Sequence, residues 1–237
     1  VVISSKLEEF YAPFFGINLT RIAAFADANR FILTPSFPAI FTIGYIGSFG
    51  LKDGIHTMLK AISAFRVYYP EIRIILIGNL AAYPALSKQL ELYNLVNIAI
   101  LTGPVEEDAV PKLLSQCSVL VCNRNNSNYA ACGFPSKLVE YAAARIPVIA
   151  SDTGDARSIF GETLNWIKPD HPEELTAALM SIYKNPDYHR ELALKSYEIF
   201  SEKLTADKAS KKLVELFREE NQKQFLIIEY QHFDAEP

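Results

Sequence analysis

The chain has 237 residues, of which 50% are hydrophobic, and it carries a formal net charge of −4 with a pI near 5.7. A chain of this length and composition can bury a sizeable apolar core. The acidic balance argues against a nucleic-acid-binding protein, which would present a basic surface. No apolar run in the sequence reaches the ~18 residues that span a bilayer, so we predict no transmembrane segment.

The cysteines are few and odd in number: Cys117, Cys122 and Cys132. They form no Cys-x-x-Cys pair, and no histidine lies near enough in sequence to suggest zinc, so we predict no metal site. Sparse thiols are typical of a reducing compartment, and no signal peptide is recognisable. We therefore expect three ordinary thiols in a cytoplasmic protein. Because the sequence begins with Val1 rather than Met, we interpret it as a fragment or a processed form.

Short apolar runs alternate with stretches of helical periodicity. The runs are rich in Ile, Val and Leu, which indicates strands buried on both faces of a sheet; they cover residues 43–47, 73–78, 97–101, 118–122 and 147–151. Between them, apolar residues recur at helical spacing, as at Ile55, Met58, Leu59 and Ile62. This alternation predicts an α/β fold with a doubly wound, Rossmann-like parallel sheet.

The two ends of the chain have a different pattern. Residues 1–36 contain a helical stretch at 6–15 and a turn-rich break at 34–38, and we interpret them as a remnant of a preceding domain plus a linker. The Rossmann-like domain is assigned to residues 37–203. Residues 204–237 are assigned to a C-terminal helix, with Thr205 as its N-cap and an end near Glu220, and to a tail with an apolar patch at 225–228.

A glycine-rich turn follows the first predicted strand. Its sequence from residue 43 to residue 50 is Ile-Gly-Tyr-Ile-Gly-Ser-Phe-Gly, and a helix is predicted from about Gly54. Such a turn exposes backbone N–H groups near a helix N-terminus, which favours a phosphate. The spacing fits neither the dinucleotide fingerprint nor the Walker pattern. A tight strand-to-helix turn without a ligand is the alternative.

The most specific stretch runs from residue 132 to residue 141, with the sequence Cys-Gly-Phe-Pro-Ser-Lys-Leu-Val-Glu-Tyr. Pro135 is suited to the first position of a helix, whose free N–H groups would face the preceding loop. Ser136, Lys137 and Glu140 would then share one face of that helix. A cation and amides suit a diphosphate, and a carboxylate suits vicinal hydroxyls. An exposed Lys137–Glu140 pair on an amphipathic helix is the alternative.

These two stretches, their order and the run Ile-Pro-Val-Ile-Ala-Ser-Asp-Thr-Gly at 146–154 resemble the C-terminal domain of group 1 glycosyltransferases with the GT-B fold. The resemblance covers roughly residues 40 to 220. It implies one half of a GT-B fold that binds a nucleoside diphosphate sugar as substrate, with no cofactor and no bound metal. It also implies sugar transfer, with retained anomeric configuration, to an acceptor in glycan or glycolipid synthesis.

The resemblance also implies site residues. The glycine-rich turn, Gly47, Ser48, Phe49 and Gly50, would face the diphosphate, and Thr102, Gly103 and Val105 would line the nucleobase pocket. Glu140 would hold the ribose. The loop before the Glu140 helix and the first residues of that helix would complete the donor site; these residues are Gly133, Phe134, Pro135, Ser136 and Lys137. Lys137 would be the main cation that binds the phosphates. No catalytic residue is assigned, because the acceptor-side groups of the family lie mostly on the N-terminal domain.

The chain departs from the family pattern at four positions. In the family a glutamate contacts the donor sugar, and Cys132 occupies its position in this chain. The family also places two cations around the glycine-rich turn; Ser48 and Asp53 occupy those positions here, and Lys52 is adjacent to Asp53. The family has a glycine at the end of the helix that carries Glu140, and Arg145 occupies that position here. The resemblance therefore predicts that Arg145 has an αL conformation, which costs a residue with a side chain ~1 kcal/mol.

Three hypotheses follow from these patterns. The first is an active transferase whose partner is a missing N-terminal acceptor-binding domain, through which it would contact the inner face of a membrane. The second is a non-catalytic nucleotide-sugar-binding or scaffold protein, which the departures at Cys132, Ser48 and Asp53 favour. The third is another Rossmann enzyme, using a nicotinamide or isomerising a nucleotide sugar.

Overall fold

A computed structural model describes residues 1–15, 19–32 and 35–218. The predicted end of the last helix near Glu220, the apolar patch at 225–228 and Thr34 in the predicted break lie outside the described residues.

A single six-stranded parallel sheet forms the centre of the domain, with strand order β3-β2-β1-β4-β5-β6. Its strands are β1 (Phe41–Ile46), β2 (Ile72–Ile77), β3 (Ala99–Gly103), β4 (Val119–Cys122), β5 (Val148–Ser151) and β6 (Asn165–Ile167). The five predicted strands are confirmed to within two residues at each end. The sixth strand was not predicted, because three residues are too short to show a periodicity.

Helices cover both faces of the sheet, so the doubly wound Rossmann-like prediction is confirmed. One apolar cluster packs Ile62 and Leu179 against β1 and β2, and a second cluster packs Leu138 and Phe200 against the opposite face. The helices are α1 (Ser5–Phe15), α2 (Ile55–Tyr68), α3 (Leu86–Leu92), α4 (Val110–Leu114), α5 (Asn128–Cys132), α6 (Ser136–Ala143), α7 (Ala156–Phe160), α8 (Pro172–Lys184), α9 (Pro186–Lys203) and a last helix over residues 206–218.

The segment before the first strand packs onto the domain. The Ala26 amide donates to the Leu204 carbonyl at 3.1 Å, and the Ala206 amide donates to the Ala26 carbonyl at 2.9 Å. The Phe31 side chain is buried in the core. At the other end of the segment, the Ser5 amide and hydroxyl donate to the Asp155 carboxylate at 2.6 and 2.5 Å. These contacts hold residues 1–15 and 19–32 against the rest of the domain; their origin in a preceding domain stays a prediction.

Of three predictions made for helix ends, those for Thr205 and Arg145 are confirmed and that for Pro135 is wrong. The Thr205 hydroxyl accepts the Lys208 amide at 3.4 Å, as expected of the N-cap. Arg145 has the predicted left-handed conformation, with φ 58°, and its guanidinium lies 4.0 Å from the Tyr197 ring centroid. Pro135 was predicted as the first helical residue, but it has extended dihedrals (φ −74°, ψ 98°), and α6 begins at Ser136. The prediction is wrong by one residue because the ψ angle of Pro135 is extended rather than helical.

The three cysteines are free, as predicted. Burial raises the pKa of the Cys117 thiol to about 12 and that of the Cys122 thiol to about 11. Cys132 is half-buried at the end of α5, and its carbonyl accepts a hydrogen bond from the Ser4 hydroxyl at 2.5 Å.

Candidate functional site

A pocket of about 270 Å³ opens at the carboxyl ends of β1 and β4. These two strands are neighbours in the sheet, and the chain proceeds outward from them in opposite directions. Ligands of open α/β sheets bind in the crevice at such a switch point. Seven predicted site residues line the pocket: Gly47, Ser48, Phe134, Pro135, Ser136, Lys137 and Glu140.

The remaining predicted residues do not line this pocket. Two other surface depressions, of about 250 and 260 Å³, contain none of the predicted residues. Phe49 is 1% exposed and packs against Tyr45, with ring centroids 5.0 Å apart, so it is a core residue. Gly133 lies behind the pocket wall, where its carbonyl accepts a hydrogen bond from Arg124 at 3.4 Å.

The turn after β3 follows the edge strand of the sheet, and β2 separates that strand from β1. The Thr102 hydroxyl donates to the Gly103 carbonyl at 2.8 Å, and that carbonyl also accepts the Gly78 amide at 3.1 Å. Val105 packs against the core cluster on the α6 face. The structure therefore places this turn beside Gly78, just after the end of β2, and outside the pocket. Its role in holding a nucleobase stays a prediction.

The glycine-rich turn is held by contacts within the protein. The Gly47 amide donates to the Ile77 carbonyl at 3.0 Å, and the Gly50 amide donates to Asp53 Oδ2 at 3.0 Å. A side chain at Gly47 would overlap the Tyr45 hydroxyl and would place its Cβ 2.6 Å from Lys137 Nζ. Glycine is therefore required at residue 47 for the turn to approach the start of α6. These two amides are already hydrogen-bonded, which we did not expect from the sequence.

A buried carboxylate organises the turn. The side chain of Asp53 is 2% exposed and accepts hydrogen bonds from Lys137 Nζ at 2.9 Å and from the Ser48 hydroxyl at 3.2 Å. Burial alone would raise the pKa of Asp53, but the Lys137 charge and hydrogen bonds from Lys137, Tyr45 and the Gly50 amide together lower it. Asp53 is therefore ionised at neutral pH.

Lys137 is consequently a paired cation. Its side chain is 14% exposed, and its Nζ lies 2.9 Å from Asp53 Oδ1, 3.1 Å from the Tyr45 hydroxyl and 4.3 Å from the Tyr45 ring centroid. The alternative of a surface pair between Lys137 and Glu140 is wrong, because each side chain has a different partner. The pairing with Asp53 reduces the positive charge that Lys137 presents to the pocket.

Glu140 faces the pocket from the second turn of α6. Its Oε1 lies 3.5 Å from Nη1 of Arg30, which comes from the segment before β1 and also lies 3.7 Å from Glu107 Oε2. Burial raises the pKa of Glu140, and the Arg30 charge offsets only part of that effect. Arg30 is 110 positions away in sequence, so no local spacing could have indicated this contact.

Two further cations line the pocket. Lys52 is half-buried, and its Nζ lies 5.0 Å from the Tyr129 ring centroid. Arg124, two residues beyond the end of β4, is only 4% exposed. Sequence reasoning missed Arg124, although its position after a buried strand at the predicted switch point was a usable signal.

The first turn of α6 adds a favourable dipole. Its N-cap, Pro135, makes no side-chain hydrogen bond to the first N–H groups of the helix. Such groups carry a partial positive charge and favour an anion. Within the described residues, no cluster of three or more His, Cys, Asp or Glu side chains could hold a metal ion. Likewise, none of the helices described is long and apolar enough to cross a membrane.

The fold resembles solved glycosyltransferase structures. Sucrose-phosphate synthase from Thermosynechococcus elongatus is 19% identical with a TM-score of 0.78, covering 94% of this chain and 58% of that chain. Anabaena HepE, solved in complex with UDP-glucose, is 18% identical with a TM-score of 0.79, covering 92% of this chain and 63% of that chain. The C-terminal domain of the group 1 protein LpcC from Francisella tularensis is 18% identical with a TM-score of 0.64, covering 76% of this chain and 98% of that domain. At these identities, the similarity establishes the fold.

The architecture is therefore that of the Rossmann-like half of a GT-B glycosyltransferase. The sequence profile of the family described as "Glycosyl transferases group 1" matches residues 38–203, well over half of the chain. The chain belongs to this family. No curated protein sequence matches the chain.

Proposed function

We propose that this chain binds a nucleoside diphosphate sugar and that the complete protein transfers the sugar to an acceptor with retained anomeric configuration. One observation carries the proposal: the pocket at the switch point combines cations, the start of α6 and, one turn along, the Glu140 carboxylate. Phosphates fit the first two features, and ribose hydroxyls fit the third. The HepE structure with UDP-glucose, in which a protein of the same fold binds such a donor, supports the proposal.

The chemistry required of this half is stabilisation of the leaving group. As the glycosidic bond breaks, negative charge develops on the diphosphate, and positioned cations and amide dipoles stabilise it. Lys52, Lys137 and the first turn of α6 would supply this stabilisation, and the reaction would need no bound metal. A role in glycan or glycolipid synthesis, in the cytoplasm and at the inner face of a membrane, is part of the same proposal; the three free thiols support the cytoplasmic location.

Ligand-induced stabilisation tests donor binding directly. The chain is heated with UDP, GDP or ADP and their sugar conjugates, with the bare nucleosides and NADH as controls. A ligand at 100 times its dissociation constant adds about 2.7 kcal/mol to the free energy of unfolding. We expect one nucleoside diphosphate series to stabilise the chain and the matching nucleoside to do so less. Stabilisation by NADH alone would support another Rossmann enzyme instead.

The chain by itself should have no transferase turnover. It spans 58% of the length of the sucrose-phosphate synthase, and in GT-B enzymes the reaction lies between two domains. We propose that the acceptor binds an N-terminal domain that precedes these residues. Incubation of the chain with a bound donor and candidate acceptors should yield no product by mass spectrometry, whereas transfer by this chain would contradict the proposal.

A second candidate function is nucleotide-sugar binding without catalysis. The pairing of Lys137 with Asp53 favours it, because a neutralised lysine stabilises a leaving group less well than a free one. The two functions differ in one measurement. If the full-length protein binds donors but forms no product with any acceptor, and releases no free sugar over hours, the non-catalytic function is supported.

A further inference from the structure

The wall of the pocket contains a buried guanidinium, that of Arg124, which has no carboxylate partner among the described residues. Arg124 is 4% exposed, and its Nη1 donates one long hydrogen bond, 3.4 Å, to the Gly133 carbonyl. Its Nε is buried and makes no hydrogen bond to any described residue. Arginine is always charged and carries five N–H donors, so this single weak contact leaves most of them without a partner among the described residues.

Neutral groups hold the backbone at Arg124. The Arg124 amide donates to the Ser151 hydroxyl at 2.9 Å, and that hydroxyl donates to Asn123 Oδ1 at 3.0 Å. The Asn123 amide group in turn donates to the Gly54 carbonyl at 2.7 Å. This chain of contacts fixes the backbone after β4 through neutral groups. The guanidinium of Arg124 takes no part in these contacts.

Burying an unpaired charge destabilises a protein by several kcal/mol. The other buried cations near the pocket are compensated, because Lys137 pairs with Asp53, and Arg30 pairs with Glu140. Among the described residues of the pocket, the half-buried Lys52 and Arg124 have no carboxylate partner, and only Arg124 is deeply buried. The missing partner of Arg124 is therefore best supplied by a ligand.

We propose that Arg124 binds an anionic group of the ligand that occupies this pocket and supplies the charge that Asp53 removes from Lys137. The inference rests on the proposed function, in which the ligand is a nucleoside diphosphate sugar. A planar guanidinium binds a phosphate or a carboxylate through two parallel hydrogen bonds. The anionic group is thus the diphosphate itself or the carboxylate of an acidic donor sugar.

Calorimetric titration of Arg124→Met tests the proposal. The substitution keeps an unbranched apolar side chain and removes the charge, and Arg73→Met, on an exposed position of β2, is the matched control. The ligands are UDP, GDP and ADP, the bare nucleosides, UDP-glucose, UDP-glucuronate and inorganic pyrophosphate. If Arg124 binds the diphosphate, the dissociation constant of the nucleoside diphosphate rises about 10- to 100-fold, and that of the nucleoside stays unchanged. If it binds a sugar carboxylate, the loss is confined to UDP-glucuronate.

Thermal stability separates a binding role from a structural one. Because Arg124→Met removes an unpaired buried charge, the melting temperature of the unliganded variant should equal or exceed that of the wild-type chain. Arg124→Lys should retain part of the affinity for the anionic ligand. The proposal is overturned if Arg124→Met binds every ligand as the wild type does, or if it loses nucleoside and diphosphate equally and melts at a lower temperature.

The same titrations keep the two proposals apart. If the wild-type chain binds pyrophosphate but no nucleotide, the proposed function fails, while loss of pyrophosphate binding in Arg124→Met still supports an anion site at Arg124. If the wild-type chain binds nucleoside diphosphates and Arg124→Met binds them equally well, the proposed function stands and the role of Arg124 fails. If the wild-type chain binds none of the anionic ligands, both proposals fail.

Discussion

Replacing Asp53 with Asn should separate the stability of the pocket from its affinity for phosphate. The carboxylate of Asp53 is 2% exposed and lies 2.9 Å from Lys137 Nζ, so the substitution leaves a largely buried ammonium without its counter-charge. Removing one partner of a buried ion pair costs about 3–5 kcal/mol. Lys137 opens partly to the pocket, and Asn can still accept the Gly50 amide. We therefore expect the lower end of that range, about 3 kcal/mol.

The same change should strengthen the binding of a diphosphate. Once Asp53 is neutral, the Lys137 ammonium has no carboxylate to pair with and can pair with an anionic ligand instead. A hydrogen bond to a charged group contributes about 1.5–3 kcal/mol, which corresponds to about 10- to 100-fold in the dissociation constant. Urea unfolding gives the loss of stability, and titration with nucleoside diphosphate and bare nucleoside gives the gain in affinity. Asp108→Asn, at an exposed position, is the matched control.

The pH dependence adds an independent check. Because the pKa of Asp53 is lowered below its ordinary 3.8 in the folded chain, its ionised form stabilises the fold at every pH above that ordinary value. This stabilisation is lost as the pH falls through the lowered pKa. The difference in unfolding free energy between wild type and Asp53→Asn should therefore be largest near neutral pH and shrink in acid.

One combination of results would refute this reasoning. If Asp53→Asn is destabilised but binds the diphosphate no more tightly, or more weakly, then Asp53 serves to shape the glycine-rich turn through Ser48 and Gly50. In that case its charge does not control the availability of Lys137.

Three other outcomes are expected. Glu140→Gln should weaken nucleoside binding about 10- to 100-fold, as measured by titration, and an unchanged affinity would exclude contact with the ribose. Because the pKa of Glu140 is raised, nucleoside binding by the wild-type chain should weaken already in mild acid. Lys137→Ala should weaken diphosphate binding more than Lys52→Ala does and leave the nucleoside unaffected, and the reverse order would make Lys52 the principal lysine. In the native chain, iodoacetamide should alkylate Cys132 first, because burial raises the pKa of the other two thiols to about 12 and about 11; mass spectrometry that finds either of them labelled first would contradict this order.

The fold could be predicted because its strands are continuous apolar runs. Strands such as β1 and β4 are buried on both faces, so every position favours an apolar residue and the runs stand out from the helices between them. The strand at Asn165–Ile167 is too short for that signal and adds to the sheet through its pairing with β5. The αL conformation of Arg145 was also predictable, because the resemblance placed a glycine there.

The candidate site was predictable only in part. The motif residues Gly47, Lys137 and Glu140 line the pocket as expected, because local spacing fixes where a turn and a helix face point. Their ion-pair partners were not predicted. Asp53 and Arg30 reach Lys137 and Glu140 from distant parts of the chain, and such long-range pairs leave no periodic signal in one sequence.

The departures of this chain from the family pattern are coupled rather than independent. The resemblance places cations at residues 48 and 53, yet here the Ser48 hydroxyl donates to the Asp53 carboxylate and Lys137 pairs with the same carboxylate. Two cations at those positions would stand against Lys137 in a partly buried space, where like charges repel strongly. With Ser48 and Asp53 present, Lys137 is instead held by an opposite charge. Because Asp53 offsets part of the charge of Lys137, the guanidinium of Arg124, which has no carboxylate partner among the described residues, is positioned to add positive charge for a diphosphate.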